Sequence, residues 1–131
     1  MQEDRTGCAI ASVAAVTEQR YAVVKSEAEA LGISVSDPKL WSDPTPMRRL
    51  LTHFSIRVSR RTAFSSWDRL PDCALLAIKW HVEKSGPAWH WVVFVRDESG
   101  GYVLDPKKAL RSNRRTDFGR MKPKWFIGLS S

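Results

Sequence analysis

The chain has 131 residues, 43% of them hydrophobic, and a formal net charge of +7. At that length roughly two-thirds of the unfolded surface can be buried, so a single domain over residues 1–131 with a sizeable core is expected, which excludes disordered chains and disulfide mini-proteins. No apolar run approaches the roughly 20 residues needed to span a bilayer, and the polar opening Met1-Gln2-Glu3-Asp4-Arg5 does not read as a signal peptide; the expected compartment is the cytoplasm, with export by a dedicated secretion system as the alternative.

In chain order, the small apolar run Gly7 to Thr17 (GCAIASVAAVT) predicts a helix buried all round, with Thr6 as N-cap and Cys8 in its first turn. Tyr21, Val24, Ala28 and Leu31 at helical spacing predict a second helix stopped by Gly32. After the proline-punctuated stretch Asp37-Pro38 to Asp43-Pro44, Thr45-Pro46 supplies an N-cap and an N1 proline for a third helix, which carries Met47, Leu50, Leu51 and Phe54 and ends near His53. From Ile56 the period changes to that of strands. Ile56 and Val58 mark a short one, Trp67 to Pro71 a turn, and Cys73 to Lys79 (CALLAIK) a buried strand. Trp89 to Arg96 (WHWVVFVR) and Gly101 to Leu104 flank the turn residues Asp97-Glu98-Ser99-Gly100 and predict a hairpin. Lys107 to Lys124 reads as a loop, and Lys124 to Leu129 (KWFIGL) as a closing strand. Helices followed by strands predict an α+β fold with a helical layer facing an antiparallel sheet.

The charge is unevenly distributed. Between Lys107 and Lys124 eight basic residues face one acid, Asp117, whereas the first 47 residues hold seven acids and four bases. Such a stretch keeps the protein soluble or meets an acidic partner; with no aromatic platform or recognition module beside it, nucleic acid is not the expected ligand. The two cysteines, Cys8 and Cys73, are expected as thiols. His53, His81 and His90 do not form a metal-ligand spacing, so no metal or other cofactor is expected.

One constellation could do chemistry. Cys8 opens a helix, where the dipole lowers a thiol pKa, and a histidine partner would lower it further. If Arg96 pairs with Gly101 across the hairpin, Val92 lies opposite Asp105, and His90 shares a face with Asp105 one diagonal step away. A carboxylate there orients an imidazole; a register slip of one residue would separate them. His81 is a rival base without an Asp placed to orient it, and Trp89 and Trp91 fall on the face opposite His90, as packing residues. Cys73, inside a buried strand, is expected to be core.

Gln2, then Cys8 at the head of an apolar helix, then His90-Trp91-Val92-Val93-Phe94, then Tyr102-Val103-Leu104-Asp105-Pro106 resembles the papain-like cysteine peptidases, closest to the compact bacterial branch that includes the double-glycine-leader peptidases of bacteriocin exporters. The resemblance runs from Gln2 to Pro106, with Ala9 where the family usually has glycine after the nucleophile. It implies a papain-like fold and thioester chemistry on a peptide or protein substrate, with Cys8 as nucleophile, His90 as base and then acid, Asp105 as its orienter and Gln2 as oxyanion donor. Two alternatives are a deamidase or acyltransferase using the same thioester, and a non-catalytic binding module using the basic 107–124 segment.

Overall fold

A computed structural model describes residues 7–34, 40, 42–84, 86–105 and 114–130, with the backbone alone at Gly7 and Cys8. The described elements are α1 (Gly7–Thr17), α2 (Tyr21–Ala30), α3 (Thr45–His53), β1 (Arg57–Ala63), a 3-10 turn at Trp67–Arg69, β2 (Cys73–Glu83), β3 (Gly86–Asp97), β4 (Gly100–Leu104), β5 (Arg114–Arg115), α4 (Phe118–Met121) and β6 (Trp125–Ser130). The strands form one antiparallel sheet in the order β1-β6-β2-β3-β4-β5. Among the described residues no helix is long and apolar enough to cross a membrane.

The helical half follows local chemistry. In α1 no residue from Ala9 to Thr17 is exposed, as its small apolar sequence requires. Beyond α2, Gly32 adopts φ 81°, and the amides of Gly32 and Ile33 donate to the carbonyls of Glu29 and Ala28, a Schellman stop with Ile33 buried beside Ala28. At α3 the expected Thr45 cap is replaced: Asp43 Oδ1 accepts the Thr45 amide at 2.8 Å, and Pro46 occupies the first turn. The expected Thr6 cap and the Asp37-Pro38 turn lie outside the described residues.

The papain-like α+β fold, an N-terminal helical layer packed on a C-terminal sheet, is corrected by this architecture. The sheet dominates: β2 and β3 run 11 and 12 residues, while the helices have only 11, 10, 9 and 4. The physical reason is that both faces of the central strands are apolar, and a single helical layer covers only one of them. Leu75, Ala77, Trp89, Trp91, Val93 and Ile127 pack under α1, α2 and α3. Leu76, Ile78, Val92, Phe94 and Val103 build a second cluster on the other face, covered by Leu70, Trp67, Phe118 and Met121. That cover corrects a second expectation: the 107–124 stretch read as a loop contains β5 and α4 where it is described, and it closes this second core.

The hairpin register is the one expected, with Arg96 opposite Gly101 and Val93 opposite Leu104. Gly101 is required by the Phe94 ring, which reaches it diagonally across the hairpin. A Cβ there would lie 2.8 Å from Phe94 Cζ, and Phe94 is 2% exposed, with no room to yield. Gly101→Ala is therefore expected to cost about 1–3 kcal/mol, read as a lowered urea midpoint. The Arg96 guanidinium secures the second face, donating to the carbonyls of Leu70 at 2.8 Å and Trp67 at 3.0 Å.

Candidate active site

His90 lies on β3, and Asp105 is the first residue past β4. Their same-face placement follows from the hairpin register, and the structure brings them into contact: His90 Nε2 and Asp105 Oδ1 are 2.8 Å apart. The Asp105 side chain is fully buried, and that of His90 is 15% exposed. A carboxylate only accepts, so the ring presents Nε2–H to Asp105, and in the neutral imidazole the lone pair belongs to Nδ1, the nitrogen that can take a proton from a nucleophile.

The other carboxylate oxygen is engaged as well. Arg115 Nη1 donates to Asp105 Oδ2 at 2.7 Å, while its Nε and Nη2 donate to Asp117 Oδ1 and Oδ2 at 2.9 and 2.6 Å. A chain of four charged or chargeable groups results, His90–Asp105–Arg115–Asp117. The hydrogen bonds that Arg115 donates to Asp117 and Asp105 hold its guanidinium still more firmly protonated than usual, against the opposing effect of its partial burial. The hydrogen bond from Arg115 holds the Asp117 carboxyl below the ordinary carboxylate range. A depressed folded-state pKa contributes stability above the unfolded value, near 4, that is lost as the pH falls through the folded value.

Sequence reasoning missed Arg115, which looked like one more solvated base in a basic run. The signal that could have found it is the spacing of Arg115 and Asp117, the run's only acid, at the two-residue period that places strand side chains together.

Cys8 is the second residue of α1, and its thiol lies outside the described side chains; Gln2 lies outside the described residues. Helix α1 packs against β3, with Ile10 and Val13 in the core that contains Trp89 and Trp91. Alternation along β3 puts His90 on the opposite face, beside its cross-strand neighbour Ile78. The structure thus joins His90 to Asp105 and places α1 on the same strand from the other side.

The remaining candidates fall elsewhere. His81 is exposed on β2, where its Nε2 meets Glu83 Oε2 and its Nδ1 meets the Lys79 carbonyl, each at 2.8 Å. His53, in the last turn of α3, reaches Glu27 Oε2 at 2.9 Å. The Cys73 thiol is free and half-buried, on a pocket of about 200 Å³ with Val16, Ile56 and Leu129, and burial pushes its pKa up. Among the described residues no cluster of three His, Cys, Asp or Glu side chains is placed to hold a metal ion. No family model matches the chain, and no curated protein matches it.

Proposed function

We propose that the chain is a cysteine-dependent hydrolase of peptide or amide bonds. Cys8 is the nucleophile, His90 the base and then the acid, Asp105 the residue that positions His90, and Gln2 a donor to the oxyanion. The observation that supports this most is the buried His90–Asp105 couple at 2.8 Å, since a buried carboxylate on Nε2 fixes the ring orientation and tautomer that a general base needs. The place of Cys8 in the first turn of α1 adds the second element, a helix terminus that favours thiolate.

In this reading the Cys8 thiol gives its proton to His90 Nδ1, and the sulfur attacks the carbonyl carbon. The imidazolium protonates the departing amine as the C–N bond breaks, leaving a thioester. Water then attacks the thioester while His90 accepts a proton from it, and that proton returns to the sulfur as the acid product leaves. The same thioester would serve a deamidase, or an acyltransferase if an amine replaces water. Because α1 packs on the face opposite His90, the reading requires the start of α1 to bring the thiol round to the imidazole.

A second reading is favoured by Arg115: the His90–Asp105–Arg115–Asp117 chain can act purely as an internal tie between β3, β4 and β5, with the surface serving a binding partner.

Alkylation by iodoacetamide, followed peptide by peptide between about pH 5 and 9, separates the two. The expected result is that Cys8 reacts well below pH 7, that Cys73, raised by burial, reacts only on the alkaline side, and that His90→Ala brings Cys8 back to ordinary thiol behaviour near about 8.5. A Cys8 that follows the ordinary thiol curve in the unaltered protein would sink the hydrolase reading and leave the internal tie.

A further inference from the structure

At the edge of the first core, away from the His90 couple, the Ala63–Trp125 pair of β1 and β6 meets the β2–β3 hairpin. A pocket of about 540 Å³ opens there, lined chiefly by Arg61, Trp80, Pro87, Trp89, Lys124 and Trp125. The Lys79 backbone has φ 54°, and the β2–β3 register shifts between Ile78 and His81, a bulge immediately before Trp80. Trp80 remains 38% exposed, one of few large apolar side chains so open to solvent among the described residues.

Three features of the lining point the same way. Its aromatic wall is rigid: Trp89 and Trp125 meet edge to face with centroids 4.8 Å apart, and Trp91 supports both from behind at 5.7 and 5.3 Å. Its charge is of one sign. The Arg61 guanidinium lies 5.3 Å from the Trp125 ring and Lys124 Nζ lies 4.7 Å from the Trp80 ring, and among the described residues no acid lines the pocket and neither cation forms a salt bridge. Contact with a ring face leaves each cation its full charge. Finally, the wall holds an unanswered donor. Trp89 is 4% exposed, and its buried Nε1–H meets no hydrogen-bond acceptor among the described residues, an uncommon state in native interiors.

The volume is that of a small-molecule site, and the chemistry is that of an apolar cleft with a few polar groups to fix orientation. We propose that this pocket binds a small anionic ligand built on a flat ring, an aryl carboxylate or a nucleoside phosphate. The ring packs against the tryptophans, the anionic oxygens are taken by Arg61 and Lys124, and an acceptor brought in with the ligand answers the Trp89 N–H. The inference stands apart from the hydrolase reading, because none of its residues belongs to the His90 chain.

Isothermal titration of the full chain with adenosine monophosphate and with phenylacetate tests it, with adenosine, phenylacetamide and inorganic phosphate as comparators. At least one of the two ring anions is expected to bind saturably, at least about tenfold more tightly than its neutral comparator and than phosphate alone, the factor that one charge-assisted hydrogen bond supplies. Which anion binds identifies the source. Arg61→Gln and Lys124→Gln, both at exposed positions that leave the core untouched, are each expected to weaken binding about tenfold. Trp89→Phe, which removes the buried donor and part of the aromatic wall, is expected to weaken binding. Absence of saturable binding by both anions, equal binding of the neutral comparators, or unchanged affinity in all three variants would overturn the proposal.

Discussion

Asp105→Ala is expected to lower the unfolding free energy by about 3–5 kcal/mol, the range seen when one partner of a buried ion pair is removed. The carboxylate is fully buried, with one oxygen on His90 and the other on Arg115. Alanine takes the acceptor from both donors at once and leaves the Arg115 charge, 18% exposed, with Asp117 alone. Against a total stability of about 5–15 kcal/mol for a domain of this kind, that is about a fifth or more of the margin. The companion variants are Arg115→Ala and the double variant, unfolded in urea. Because the two side chains share one interaction, the double variant is expected to cost less than the sum of the singles by about 1–3 kcal/mol. An Asp105→Ala loss below about 1 kcal/mol, the size of a surface effect, would mean that the carboxylate does not hold this edge of the sheet together.

Trp91→Ala should have a similar effect for a different reason. Trp91 is fully buried at the contact between β3 and the helices, touching Trp89 and Trp125 edge to face, and its indole N–H donates to the Leu40 carbonyl at 2.6 Å. Truncation removes the ring contacts and leaves a cavity, costing about 3–5 kcal/mol. Trp91→Phe keeps most of the ring but takes the donor from Leu40, and about 1–3 kcal/mol is expected. Both should appear as a lowered urea midpoint at unchanged slope, since the surface exposed on unfolding barely changes. Equal losses for the two variants would show that the hydrogen bond, rather than the packing, carries the contribution of Trp91.

The two residues also show how far the chain could be read without coordinates. Asp105 reached its place through counting: two strands of period two joined by four turn residues leave few registers, and the Arg96–Gly101 pairing puts His90 and Asp105 on one face. Trp91 was legible as a packing residue by the same alternation, but its bond to Leu40, 51 residues away, was not. The apolar runs of β2 and β3 held a warning that the helix-then-strand order obscured: strands without alternation bury both faces, so a second cover was needed. Phe118 and Met121, hidden in the most basic part of the chain, supply part of it.

The sequence by itself determined what depends on neighbours a few positions apart: the extent of α1, the glycine stop after α2, the hairpin register, and with it the His90–Asp105 couple. Turn chemistry and hydrophobic period act over a handful of residues and leave little to be decided by distant partners. Only the tertiary structure decided the strand order β1-β6-β2-β3-β4-β5, the sheet-dominated fold in place of the papain-like one, the attachment of Arg115 to Asp105, and the tryptophan pocket with its two cations. Each of these joins segments that are remote or whose local pattern is ambiguous, and which partner wins is settled by the burial of apolar surface and the pairing of buried charge, quantities that belong to the assembled chain and not to any stretch of it.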